Sequence, residues 1–169
     1  MVEAAGRQLT ITHPERVFFA ERGDTKLDLV RYYQAVAGPL LAAIGGRPVL
    51  LQRFPNGAGG TSFFQKRVPE NRPDWLETSV VSTPNGTTSV ALVAADLAHV
   101  LWAVNMACLG FHVWPTQAAD PEHADEVRKL LDELGVAGLP KTTGNRGIHA
   151  SATDASAIGA ASSARLWAT

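Results

Sequence analysis

The nine residues from Lys141 to His149, KTTGNRGIH, carry the densest potential chemistry in the chain. Gly144, Asn145 and Gly147 allow a tight turn. Such a turn would draw Lys141, Thr142, Thr143, Arg146 and His149 together. Two cations, two hydroxyls and backbone N–H groups suit a polyphosphate, because each oxygen finds a charge-assisted donor. Apolar residues at 136–139 and at Ile148 place the turn between two strands. An ordinary basic hairpin turn has the same composition, and the stretch alone leaves both readings open.

A second polar concentration lies earlier. Residues 45–72 hold five Lys/Arg against one Asp/Glu, and residues 1–72 hold ten against six, although the whole chain of 169 residues has a net charge of −1. A local positive face can steer a phosphate backbone on a near-neutral protein. Within it, Phe63 and Phe64 are adjacent, so on a strand they point to opposite faces and only one can enter the core of a one-sided sheet. The other is free to stack on a base. Arg53 is a partner for that surface.

The elements that must position these residues follow from pattern. Residues 8–12 read as a short strand leading into the turn at His13-Pro14. Thr25 caps a helix with Asp28 as its capping-box partner. Pro39 should kink or divide that helix, and Gly45-Gly46 end it. Residues 47–54 and 61–68 read as strands around the loop PNGAGG, which lacks the Gly-Lys-Ser/Thr ending of a P-loop. Strands follow at 78–82 and 87–93 around a PNG turn. Asp96 caps a second helix, with His99 expected at the surface or in the cap. Residues 90–114 are strongly apolar, but Asp96, His99, Asn105 and His112 interrupt them, so a buried strand–helix–strand is expected rather than a membrane span. FHVWP reads as a short strand, and Val127, Leu130, Leu131 and Leu134 mark a further helix closed by Gly135. One cysteine, Cys108, excludes an intramolecular disulfide framework and fits a reducing compartment; the absence of an apolar leader suggests a cytoplasmic protein.

HVWP, AADPEHADE and KTTGNRGIH, in that order, resemble the polymerase domain of bacterial non-homologous end-joining DNA ligase D, within the archaeo-eukaryotic primase superfamily. THPERVFF, DTKLDLVRYY, RFPNG, FFQKRVPENRPDW and DLAHVLWAVNMACL extend the resemblance over about residues 9–149. It implies an α+β fold, an incomplete primase-polymerase-like arrangement of mixed or antiparallel sheet with packed helices. Residues 1–149 would form that partial domain. Residues 150–169, twelve of whose twenty are Ala or Ser, would form a disordered tail. The resemblance also implies DNA-binding roles: Arg16 and Lys26 on the 5′-phosphate of a DNA end, and Arg53, Phe63 and Phe64 by the end and template. His112 would lie at the nucleotide triphosphate pocket, and Lys141, Thr142, Thr143, Arg146 and His149 are the nucleotide-binding candidates.

One departure bears on mechanism. Primase-type polymerases use carboxylates to hold two divalent ions that activate the primer hydroxyl and stabilise the departing pyrophosphate. The family carries two of them as Asp-x-Asp on an apolar strand, and no Asp-x-Asp occurs here. Asp120 and Glu122 have the spacing, but the intervening Pro121 and missing apolar flanks argue against a central strand. An internal deletion and a truncated C-terminus are therefore expected, with no catalytic and no metal residues assigned. Three readings result: an end-binding repair protein without catalysis; an active nucleotidyltransferase with carboxylates from Asp120, Glu122 or another chain; and a decayed remnant. The first implies 5′-phosphorylated DNA ends as partner, with NTP and separately encoded ligase or end-binding repair proteins beside them, and a place at the nucleoid. The second adds Mn2+ or Mg2+ with NTP.

Overall fold

The computed structural model describes residues 1–82, 87–114, 116–119, 138–142 and 148–152. By packing, the chain divides into two compact units, Met1–Trp114 and Pro115–Thr169. Unit one is α+β, and all its strand pairings are antiparallel.

It begins with a hairpin that the sequence reading missed in part. β1 (Val2–Ala4) pairs with β2 (Arg7–Leu9) across Ala5-Gly6, both at positive φ, as a tight two-residue turn requires. β3 (Val17–Phe19) and β4 (Asp24–Thr25) form a second hairpin that delivers Thr25 to the start of α1 (Lys26–Ala35). The capping box forms as expected: the Thr25 hydroxyl accepts from Asp28 N–H, and the Asp28 carboxylate accepts from Thr25. The helix does divide, but at Val36, which ends α1 and starts α2 (Ala37–Ile44). Pro39 instead occupies the first turn of α2, where its missing N–H forfeits no intrahelical bond. Gly45 closes α2 by donating to Leu41 O at 2.8 Å.

β5 (Pro48–Arg53) is the centre of a five-stranded sheet. One long edge pairs with β9 (Cys108–Val113). The other is shared, with β8 (Thr88–Val93) against Pro48 and Val49 and β6 (Phe63–Gln65) against Leu51 to Arg53. β7 (Thr78–Ser82) lies outside β8. The strict two-residue alternation of β5 sorts its side chains. Val49 and Leu51 face the core, 1% and 2% exposed, with Arg53 on the same side; Leu50 and Gln52 face away.

α3 (Leu97–Asn105) is nearly all apolar, and Ala98, Val100, Leu101, Ala103 and Val104 are fully buried. They pack with Leu29, Val30 and Tyr33 of α1 and with Val49 and Leu51 in one core. Each such large aliphatic side chain contributes about 1.5–3 kcal/mol by leaving water. The expected strand–helix–strand over 90–114 is thus β8, α3 and β9. No helix among the described residues is long and apolar enough to cross a membrane.

In the second unit, β10 (Gly138–Thr142) and β11 (Ile148–Ala152) form an antiparallel hairpin with Lys141 opposite His149 and Thr142 opposite Ile148. The KTTGNRGIH turn therefore does lie between two strands, and β11 continues past His149. Thr143 and Arg146, the expected helix around Val127, and Asp120 and Glu122 lie outside the described residues, as does the chain beyond Ala152.

Candidate nucleic-acid interface

On the helix-covered side of β5, three of the expected DNA-binding cations converge. Lys26 opens α1, and its side chain turns inward, 6% exposed. Its ammonium donates to Thr12 O at 2.7 Å, Thr12 Oγ1 at 3.1 Å and Asn105 Oδ1 at 3.2 Å. Asn105, the last residue of α3, completes this clasp: Oδ1 also accepts from Thr12 N–H at 2.9 Å, and Nδ2 donates to Thr10 O at 3.0 Å. The resemblance assigned Lys26 to an end phosphate; in the structure its ammonium fastens the turn that carries His13, itself at positive φ, and Arg16.

Burial lowers the Lys26 pKa, and the charges of Arg16 and Arg53 lower it further, with Glu15 opposing. The three cations therefore sit within electrostatic reach of one another. Each is held by neutral groups. Arg53 donates to Met106 O at 2.7 Å and Gln65 Oε1 at 2.6 Å, and exposed Arg16 reaches Asn56 Oδ1 at 3.5 Å. None makes an ion pair with the described residues. Asn56 is brought there by the PNGAGG loop, whose Gly57 has φ +86° and would place a Cβ 3.0 Å from Phe18 O. Ala58 N–H donates to that same oxygen at 2.8 Å, so loop and β3 meet backbone to backbone.

Phe63 belongs to this side. It pairs in register with Arg53, whose guanidinium lies 5.2 Å from its ring centroid. Phe64 points to the other face. Both rings are largely exposed, 45% and 55%, so neither enters the core as the two-faced strand argument expected of one. The reason is position: β6 is three residues long and pairs only with the Leu51–Arg53 end of β5.

On the far face, Phe64 meets His112 edge to face, centroids 5.2 Å apart. His112 lies on β9 opposite Leu50, and its Nε2 is 3.3 Å from Gln52 Oε1. The candidates thus separate into Arg16, Lys26, Arg53 and Phe63 on one side of β5 and His112 with Phe64 on the other. Lys141, Thr142 and His149 belong to the hairpin of the second unit.

His99 is neither a surface nor a simple capping residue. It is fully buried and its ring stacks edge-on to Trp75 at 5.3 Å. Glu77 N–H donates to Nε2 at 3.0 Å, so Nδ1 carries the proton and donates to Asp96 Oδ1 at 2.7 Å. Asp96 also caps α3 and pairs with Arg7 at 2.7 Å. Burial would raise the Asp96 pKa, but the His99 ring and backbone donors and Arg7 hold it below its ordinary value. This cluster ties the first hairpin to α3.

Residues 25–128 match the family model for the LigD primase-polymerase domain. The chain belongs to that family. It is 32% identical to the multifunctional non-homologous end joining protein LigD of Mycobacterium bovis, over 88% of this chain and 24% of the relative. It is 30% identical to the bifunctional non-homologous end joining protein LigD of Bacillus subtilis, over 84% of this chain and 26% of that one. Among solved structures, the polymerase domain from Mycobacterium tuberculosis ligase D in complex with DNA aligns with a TM-score of 0.60 at 26% identity, covering 83% of this chain and 59% of that one. The chain spans about a quarter of the length of these LigD relatives.

For a LigD polymerase relative, the metal question is specific. Among the described residues, no group of three or more His, Cys, Asp or Glu could hold a metal ion. Asp120 and Glu122, the carboxylates weighed from the sequence, lie outside the described residues. Gln52, Asn56, Gly110 and Asn105 escaped the sequence reading. The change from apolar to polar after Leu51 was the available signal for Gln52; the others are defined only by partners distant in sequence.

Proposed function

We propose that this LigD-family chain is an end-binding module of DNA double-strand-break repair that recognises 5′-phosphorylated ends and does not itself transfer nucleotides. The observation that carries this reading is the convergence of Arg16, Lys26 and Arg53 without a carboxylate partner among the described residues. Like charges held together are costly, and a bound phosphate would relieve that cost. Arg16, the exposed member, contacts the phosphate; Lys26 adds charge from beneath while fixing the turn. Phe63, backed by Arg53, offers a ring for an unpaired base at the end, which is sequence-tolerant because every base has a stacking face.

His112 and Phe64 on the far face are the nucleotide-binding candidates of the first unit, and Lys141, Thr142, Thr143, Arg146 and His149 remain those of the second, each considered by itself. Ligase and end-binding repair proteins are the partners this reading implies. Such work places the protein at the nucleoid in the cytoplasm.

Fluorescence anisotropy on a recessed-end duplex tests this, comparing 5′-phosphate with 5′-hydroxyl ends at two salt concentrations. A phosphate preference that weakens as salt rises is expected. Equal, weak binding to both ends rejects the reading.

A further inference from the structure

We propose that Gln52 and Gly110 together set the tautomer and direction of His112, leaving Nδ1 as the ring atom that meets a triphosphate. The proposal rests on the nucleotide-binding reading of His112 for its ligand, while the positioning itself stands on the geometry of the far face.

Gln52 lies directly opposite Gly110, and His112 opposite Leu50, so Gln52 and His112 are diagonal neighbours across the strand pair. Diagonal positions are within reach of long side chains. Gln52 Oε1 stands 3.3 Å from His112 Nε2. An amide oxygen only accepts, so Nε2 carries the proton. The other end of the amide donates to Ser62 Oγ at 3.2 Å, which holds the group from both ends.

Gly110 makes this crossing possible. A Cβ there would lie 2.9 Å from Gln52 Oε1, 3.0 Å from Gln52 Cβ and 3.4 Å from His112 Nε2. Its backbone is not in the left-handed region, so conformational need does not account for the glycine; the space that the amide crosses does. Phe64 bounds the ring from a third direction. Nδ1 is then the ring's remaining polar atom, with no partner among the described residues. Because Nε2–H is already given to an acceptor, taking a proton at Nδ1 forfeits no hydrogen bond. The resulting imidazolium donates Nδ1–H to a phosphate oxygen and keeps Gln52 through Nε2–H.

Long-range 1H–15N correlation spectra of His112 in the full chain test the positioning. The wild type should show Nε2 protonated and Nδ1 bare. Gln52→Leu and Gly110→Ala, which break the contact from opposite strands, should each give a mixture of tautomers; Gln52→Glu, which keeps an accepting oxygen, should retain the wild-type pattern. A fluorescent ATP analogue should bind Gln52→Leu roughly 2- to 10-fold more weakly, the worth of one ordinary hydrogen bond. An Nδ1-protonated wild type, or unchanged spectra in both Gln52→Leu and Gly110→Ala, overturns the proposal. A ring held as described in a protein that binds no ATP analogue overturns the nucleotide reading alone.

Discussion

The two sides of β5 handle polar side chains in opposite ways. On the helix-covered side, Lys26, Asn105 and Arg53 are tied to backbone carbonyls and to each other's neighbours, so removing one leaves its partners short of a bond. On the far side, Gln52, Ser62 and His112 form a short chain of contacts lying over a glycine. The first arrangement builds the fold and a charge field in one stroke; the second orients a ring and little else. Substitutions on the covered side should therefore act on stability and binding together, and those on the far side on binding alone.

The largest effect should come from removing the covering itself. Leu101→Ala, at a fully buried position of α3, should lower the unfolding free energy by about 2–5 kcal/mol in urea titration. DNA and nucleotide binding should fall in parallel with the folded fraction. A loss below about 1 kcal/mol would mean that α3 does not secure the covered face.

Alkaline pH probes the same side. Cys108, paired in register with Arg53, has its thiol pushed by burial from 9.0 up to about 12. The folded state then keeps a proton that the unfolded chain has released. The stability this contributes is complete below about pH 9 and lost as pH rises towards 12, with a slope of up to about 1.4 kcal/mol per pH unit. Burial of Tyr33 acts in the same direction, so Cys108→Ala should flatten the slope without abolishing it. Denaturant titrations at a series of pH values measure both slopes, and identical slopes would contradict the buried thiol.

A smaller effect is expected at Lys26. Lys26→Met leaves Thr12 O and Asn105 Oδ1 short of a donor and should cost about 1–3 kcal/mol. Because the folded pKa is lowered, the unfolded chain binds more protons below 10.5, and the wild type gains stability as pH climbs through that window. The deficit of Lys26→Met should widen accordingly. A Lys26→Met protein as stable as the wild type would contradict the part assigned to Lys26 in fastening the turn at Thr12.

How far the sequence could be read follows the range of the interactions involved. The capping box of Thr25 and Asp28 is three residues wide, and it was legible. So were β7, β8 and α3, whose two- and 3.6-residue periods are carried by contiguous residues. The LigD resemblance supplied the family and the candidate cations. It did not supply their surroundings. Lys26 is buried because Asn105 lies across from it, and His99 because Glu77 and Trp75 close over it. Neither pairing has a local signature. The assignment of Phe63 and Phe64 to different sites likewise required the register with β5, which places Arg53 beside one ring and leaves the other facing His112.

Anisotropy on paired double variants tests the separation of the two sides most directly. Arg16→Ala/Phe63→Ala should lose the preference for a 5′-phosphate over a 5′-hydroxyl end, while Phe64→Ala/His112→Ala should keep it and lose affinity for the ATP analogue. Loss of the phosphate preference in both would contradict the two-sided arrangement.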